Sequence, residues 1–235
     1  MFRKLRVGFA VFIWLVTCFL VSLVYLVTLG RGKRFCREVI TKYSAKIACI
    51  ILGIRIALKG RENIPKGQCV YTFNHRSGMD LLIMSAVGLT RTRCFLSVYT
   101  LPMVPITIVA LCTGVIYMAY QHQPEKRVKI FKRTAALLKR TGESVLVSPE
   151  GVRYAGKGVR KFNKGAFHLA LDLRAPLVPI VINSSEVISK ESGLNDKSGA
   201  ITVEFLPAVD TKEWSVESLN KHRNDVRDLY IQHLI

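Results

Sequence analysis

Twenty-three consecutive residues, Val7–Leu29, carry no charge. A run of that length has few places to go. As a helix it reaches across a bilayer's hydrocarbon core of roughly 30 Å, at about 1.5 Å of rise per residue. It is longer than the apolar part of a secretory signal peptide, and no small-x-small cleavage site follows it. We read it as a membrane helix, either spanning the bilayer or dipping in and returning. Basic residues flank it on both sides, with Arg3, Lys4 and Arg6 before it and Arg31, Lys33, Arg34 and Arg37 after. The loop-charge rule therefore assigns no orientation.

The next segment, Glu38–Gly53, carries Val39, Ile40, Tyr43, Ile47, Ile50 and Ile51 at helical spacing, with Lys42 and Lys46 opposite. That is the pattern of a helix lying in the membrane interface, although a core-facing helix shows it too. Residues 1–53 thus read as an N-terminal membrane-attachment helix pair, and residues 54–235 as a separate folded domain. Charge agrees with a membrane setting. Lys and Arg number 35 against 16 Asp and Glu, a net +19, which favours an anionic membrane or acidic partners. The basic segment Glu125–Arg140 lacks the interleaved aromatics that stack on bases, so nucleic acid is not the expected partner. Six scattered cysteines include no CxxC pair, which predicts reduced thiols facing the cytosol and no metal site.

Beyond Gly53, short apolar runs alternate with helical periodicity. Strands are predicted at Arg55–Lys59, Cys69–Phe73, Cys94–Val98, Val115–Met118, Ser144–Val147, Leu177–Ile182 and Ile201–Phe205. Helices are predicted at Gly78–Val87, Val104–Cys112, Glu125–Lys139, Lys164–Leu173 and Val216–His233, with Ser184–Ser198 as a polar loop. Several strands are apolar without alternation, as in a sheet covered on both faces. The fold class is therefore α/β: a mixed, largely parallel sheet covered by helices. Strand order does not follow from the pattern.

Two stretches sit where such a sheet binds ligands, at the carboxyl ends of strands. In Asn74-His75-Arg76-Ser77-Gly78-Met79-Asp80, a strand ends and a helix begins. On one continuous helix, five steps would rotate His75 and Asp80 about 140° apart. For them to meet, the chain must bend, and Ser77-Gly78 supplies the bend. Ser77 is the expected N-cap, with Asp80 in the acidic slot of a capping box. A carboxylate beside an imidazole fixes its tautomer and suits it as a general base. In Ser148-Pro149-Glu150-Gly151-Val152-Arg153, glycine permits close backbone approach and arginine offers a fork to a phosphate. His168 and Asp172 stand at i, i+4 within a helix and read as a structural pair. Ser77 lacks a G-x-S-x-G elbow, and no P-loop or GxGxxG is present.

Together these residues resemble the glycerolipid acyltransferase family. Asn74-His75 with Asp80 matches its NHxxxxD, and Pro149-Glu150-Gly151 with Arg153 matches its FPEGTR. Val178-Pro179-Ile180 matches its VPI segment, and Phe162, Lys164, Gly165 and Ala166 its FxxGA. The resemblance covers about Leu58 to Ile182. It implies that 54–235 is an acyltransferase catalytic domain, passing an acyl chain from acyl-CoA or acidic acyl carrier protein directly to a lysolipid hydroxyl. His75 would be the base and Asp80 its orienting partner, while Glu150, Gly151, Arg153 and Lys164 would bind the acceptor's head. Backbone N–H groups near His75 or Gly151 would steady the oxyanion, and no cofactor is called for. The default acceptor is 1-acylglycerol-3-phosphate, with the domain on the cytoplasmic face of the membrane.

Departures from the family pattern bear on the acceptor. Gly114-Val115-Ile116-Tyr117-Met118-Ala119-Tyr120 lacks the acid and arginine of the family's middle motif, and Val98 stands where a lysine is frequent. Ser148 and Val152 replace a Phe and a Thr. Either Arg91, Arg93 or Lys157 supplies the missing cation, or the acceptor is another lysolipid, such as a headgroup-bearing lysophospholipid or lyso-ornithine lipid. A basic membrane-binding protein with a decayed site is the alternative outside enzymes.

Overall fold

The computed structural model describes residues 2–154, 156, 158–184 and 200–234, so Lys157 and the polar loop beyond Ser184 lie outside the described residues. One sheet holds β1 (Arg55–Lys59), β2 (Val70–Phe73), β3 (Thr92–Ser97), β4 (Ile116–Met118), β5 (Ser144–Val147), β6 (Leu177–Ser184) and β7 (Ala200–Phe205). Their order is β1-β7-β6-β2-β5-β3-β4. Every neighbouring pair is parallel except β6 with β7, so the sheet is mixed and largely parallel.

Alternation along the central strands divides the core. Val70, Val145 and Val147 face α6 (Pro124–Thr141), α7 (Gly165–Leu173) and α8 (Leu219–His233), where Leu138, Phe167 and Tyr230 are fully buried. Tyr71 and Leu146 face the other way, onto Ile83 and Met84 of α4 (Asp80–Val87). Both faces are thus covered, which explains strands without polar alternation. Pro179 sits inside the central strand β6, and the next N–H, from Ile180, donates to the buried Tyr230 hydroxyl at 3.2 Å. That hydroxyl in turn donates to Thr72 Oγ1 at 2.9 Å.

Outside α4 lie α1 (Phe2–Val27), α3 (Lys42–Ile51) and α5 (Val104–Thr113). Cys18 and Val21 of α1 pack on Val109 and Cys112 of α5. The opposite face of α1 is exposed and apolar, including Phe9, Phe12, Phe19 and Leu26. Lys4–Val27 holds an 18-residue stretch of mean hydropathy 2.6 and is the one described helix long and apolar enough to cross a membrane. The predicted single helix Glu38–Gly53 is instead built from parts. One α-turn, α2 (Lys33–Phe35), leads into a π-helical stretch, Cys36–Thr41, and then α3. In α3 the small residues Ala45 and Cys49 pack on Ala86 of α4, while Tyr43, Ile47 and Ile50 point outward. Large apolar side chains outside and small ones inside suit a helix resting on lipid.

A buried ionic latch joins this layer to the sheet. Arg37 Nη2 donates to Glu143 Oε1 and Arg93 Nε to Glu143 Oε2, each at 2.6 Å. Arg37 Nη1 also donates to Thr113 O at 2.8 Å, and Arg93 Nη1 to Gly114 O at 3.0 Å. Burial pushes the Glu143 carboxyl up, but the two guanidinium groups prevail and hold it below the usual carboxylate range.

Candidate active site

The site begins where β2 ends. Asn74 is fully buried and prolongs the pairing with β6: its Nδ2 donates to Ile182 O at 3.0 Å, and its Oδ1 accepts the Ile182 N–H at 2.7 Å. An amide can do this because it carries a donor and an acceptor side by side. His75 is thereby fixed at the carboxyl edge of the sheet. The chain then turns, and Asp80 opens α4. Three groups converge on Asp80 Oδ2: His75 Nδ1 at 2.7 Å and the N–H groups of Arg76 and Ser77 at 2.9 Å each.

A carboxylate only accepts hydrogen bonds, so Nδ1 carries a proton, and in the neutral form of the ring the lone pair is on Nε2. Asp80 is 2% exposed, whereas the His75 side chain keeps 30% of its surface open. One detail differs from the sequence expectation. Ser77 does not cap the helix, because Met79 occupies that position and α4 starts at Asp80. Ser77 Oγ accepts the Met79 N–H at 3.1 Å, closing the tight turn that swings Asp80 back under His75.

The second stretch is stitched to the first. Glu150 is 3% exposed; its Oε1 accepts the His75 N–H at 3.0 Å, and its Oε2 accepts the Arg160 N–H at 3.1 Å. The Tyr154 N–H donates to His75 O at 2.8 Å, so His75 is held through both its N–H and its carbonyl. Burial pushes the Glu150 carboxyl up, against the pull of these N–H groups. Sequence reasoning groups Glu150 with Gly151, Arg153 and Lys164 as ligands of a headgroup. In the structure its carboxylate points inward and both oxygens are occupied.

Gly151 is required for two reasons. Its φ is +72°, and a Cβ would stand 2.7 Å from Asn163 Nδ2, which donates to Glu150 O at 3.0 Å. Arg153 and Lys164 are exposed, and the Arg153 guanidinium passes within 3.6 Å of where a Cβ on Gly78 would be. Gly165 leaves room for the Phe131 ring, which any Cβ there would strike.

Two of the suggested replacement cations are at the wrong end of the sheet. Arg93 is held by Glu143, while Arg91 donates through Nη2 to Thr141 O at 3.0 Å. Both precede or open β3, opposite its carboxyl end. The cation the structure does bring close is Arg127. Its Nη1 donates to Ala119 O at 3.0 Å, and its Nη2 lies 3.7 Å from the space a Gly151 Cβ would fill. Nothing local in the sequence marks it out within a helix full of basic residues. Tyr120, where the family has arginine, stacks on His122 at 5.3 Å and meets Tyr99 edge-on at 4.6 Å. His168 and Asp172 form no ion pair among the described residues, since i, i+4 spacing permits one at a wet surface without requiring it. No described cluster of three or more His, Cys, Asp or Glu residues could hold a metal.

Beside the His75–Asp80 turn lies an apolar cavity of about 370 Å³ between α1, α3, α4, α5 and β3. Gly78 and Met79 line its near end. Tyr99, Leu101, Met103 and Val104, just past the carboxyl end of β3, are exposed as well.

A mostly parallel α/β sheet, a His–Asp pair at its carboxyl edge and an adjoining apolar cavity define an α/β domain with a ligand-sized opening beside a hydrogen-bonded imidazole. The chain belongs to the acyltransferase family, whose model matches residues 55–183. It is 24% identical over 196 residues to a 1-acyl-sn-glycerol-3-phosphate acyltransferase from Cocos nucifera, covering 78% of this chain and 59% of that one. It is 27% identical over 211 residues to the alpha form from Mus musculus, covering 89% and 74% of the two. The chain spans 45% to 65% of the length of the plant relatives it matches. Its fold is that of the crystal structure of the 1-acyl-sn-glycerophosphate (LPA) acyltransferase PlsC from Thermotoga maritima, with a TM-score of 0.64, 19% identity and coverage of 97% and 95%.

Proposed function

We propose that the protein is a membrane-bound O-acyltransferase that transfers an acyl chain from a thioester to the free hydroxyl of a lysolipid, by default 1-acylglycerol-3-phosphate, giving phosphatidate. The observation that carries this reading is the convergence on Asp80 Oδ2, which turns Nδ1–H toward the carboxylate and, in the neutral ring, puts the lone pair on Nε2. Nε2 takes the hydroxyl proton as the lipid oxygen attacks the thioester carbonyl. The new C–O bond forms, the C–S bond breaks, and the imidazolium returns its proton to the leaving thiolate. Asp80 stabilises the imidazolium in between, and positioned base catalysis of this kind contributes roughly 10²–10⁴-fold. In this reading backbone N–H groups near Gly151 steady the oxyanion, other than that of Gly151 itself, which donates to Ser148 O at 3.2 Å.

In this scheme Arg153, Lys164 and Arg127 attract the acceptor's phosphate, Gly151 lets it approach, and Glu150 holds His75 in place. The acyl chain of the donor enters the apolar cavity from the Gly78–Met79 end. The donor is acyl-CoA or an acidic acyl carrier protein, and either suits a net charge of +19. Residues 1–53 attach the protein to the membrane, residues 54–235 form the catalytic unit on the cytoplasmic face, and the scheme calls on no cofactor. Tyr120 in place of arginine favours a second reading of the acceptor, a lysolipid with a larger head such as a headgroup-bearing lysophospholipid or lyso-ornithine lipid. The ordered His75–Asp80 geometry argues against a decayed site.

The test is a donor-by-acceptor activity matrix on the purified full chain, run with His75→Ala alongside. Preference for lysophosphatidate by more than about tenfold, a gap of 1.4 kcal/mol, selects the default acceptor. His75→Ala should abolish transfer and keep vesicle binding. An active alanine variant sinks the assignment of the base.

A further inference from the structure

Thirty-one consecutive residues, Cys94–Pro124, contain no Asp, Glu, Lys or Arg. In a chain that is 22% charged, a stretch of that length would carry about seven. Burial explains the strands and the inner side of α5, but not the rest. Tyr99, Leu101, Met103, Val104 and Leu111 are exposed. Outside the first 53 residues, only four other large apolar residues are exposed in the described chain, and they are scattered. These five fall on one segment, from the turn after β3 to the outer side of α5, where Val104 and Leu111 stand two helical turns apart.

The patch adjoins α1 and lies at the edge that carries His75. At the start of α5, Pro105 O accepts from Cys18 Sγ at 3.5 Å; at its end, Thr113 O accepts from Arg37. α1 therefore runs in the same direction as α5. Its exposed Phe12 and Leu15 precede Cys18, on the part of α1 that reaches the start of α5. Both β2 and β3 are parallel to β5, so the chain leaves them for His75 and Tyr99 at the same edge of the sheet. Those two strand ends are two spacings apart, about 10 Å.

We infer that the segment from Tyr99 to Leu111 is a second lipid contact, which rests the carboxyl edge of the sheet on the surface of the membrane. The ten residues of α5 make about 15 Å of helix, half of a hydrocarbon core of roughly 30 Å, so α5 lies in the interface and does not cross. Tyr99 suits that depth, with its ring in the apolar layer and its hydroxyl in water. A second copy of the chain could cover the same patch, but continuity with a helix apolar enough to cross a bilayer selects lipid. The contact gives the domain an orientation that the basic flanks of α1 do not. It rests on α1 as a membrane helix and is independent of the transferase reading.

The test reconstitutes the full chain in phosphatidylcholine vesicles and labels it with a charged, membrane-impermeant maleimide. Val104→Cys and Val216→Cys are a matched pair at 62% and 61% exposure, Val216 leading into α8 on the opposite side of the sheet. The native cysteines, buried or partly buried, set the background. Val104→Cys should label at least about tenfold more slowly, because hydrocarbon excludes a charged reagent. Adding Leu101→Asp and Met103→Asp, both at exposed positions, should lift the segment out and bring the two rates together. Equal rates without the aspartates overturn the inference, as does a slow rate that the aspartates leave unchanged. A slow rate that fades as protein is diluted into lipid shows a second copy on the patch, and overturns it too. A chain that fails to co-float with vesicles overturns the membrane reading of α1 together with this inference, whereas inactivity towards every lysolipid counts against the transferase reading alone.

Discussion

Glu150→Gln exchanges one carboxylate oxygen for an NH2 group at a position where both oxygens accept a backbone N–H. Either His75 or Arg160 then faces a donor instead of an acceptor, and a hydrogen bond to a charged group contributes roughly 1.5–3 kcal/mol. The amide also escapes the burial penalty that pushes the carboxyl up, which offsets part of that loss. A net cost of about 1–2 kcal/mol lowers Tm by about 2–8 °C for a chain of this size. The catalytic effect should be larger, because the peptide carrying the base loses one of its holds. A displacement near 1 Å costs on the order of 10² in rate, so kcat should fall about 10- to 100-fold with KM for the lysolipid little changed. Steady-state kinetics at varied lysolipid, paired with thermal unfolding, read both quantities. A KM raised tenfold at unchanged kcat would show that Glu150 touches the headgroup, and would refute the positioning role. The pH profile adds a check. With its folded pKa raised, Glu150 keeps its proton to higher pH in the folded than in the unfolded chain. Its contribution to stability therefore falls as pH rises from the ordinary carboxylate value to the raised one, and the glutamine variant should lack that slope.

Asp80→Asn should leave the fold in place and cut kcat by roughly 10²–10⁴-fold, since a neutral amide no longer holds Nδ1–H or stabilises the imidazolium; near-wild-type turnover would count against Asp80. Gly151→Ala forces a left-handed φ of +72° on a side chain that meets Asn163. It should lose about 1–3 kcal/mol in denaturant unfolding. Glu143 has a depressed folded pKa, so its contribution is present above the ordinary carboxylate value and fades as pH falls through the depressed one. Glu143→Gln should therefore be less stable at neutral pH and should flatten the acid limb of a Tm–pH curve. Phe12→Asp with Phe19→Asp, on the exposed face of α1, should reduce co-flotation of the full chain with anionic vesicles.

All seven strands were legible as short runs between polar breaks; burial on both faces leaves β2 and β5 without polar alternation, while β7 shows alternation and β1 is an exposed edge strand. The order β1-β7-β6-β2-β5-β3-β4 was not, since it depends on contacts between residues as distant as Arg55 and Ala200. The meeting of His75 and Asp80 could be anticipated from a turn-forming Ser-Gly between a strand and a helix. The inward aim of Glu150 could not, because an acid beside a glycine reads as a ligand until the N–H groups of His75 and Arg160 are seen to fill it. Arg127 escaped notice for a related reason: only the fold shows which of several basic residues on α6 faces Gly151. The π-helical stretch Cys36–Thr41 left no mark either, as its apolar spacing passes for an ordinary helix.

The latch of Arg37, Glu143 and Arg93 ties the lipid-facing layer to the amino edge of the sheet, while His75 sits at the carboxyl edge. A rigid tie at one end makes the sheet a spacer of set length. Under the proposed function, the height of the imidazole above the acyl tails is then dictated by how deeply α1 and α3 settle, so the depth at which a lysolipid presents its hydroxyl becomes a criterion for which lipids are within reach.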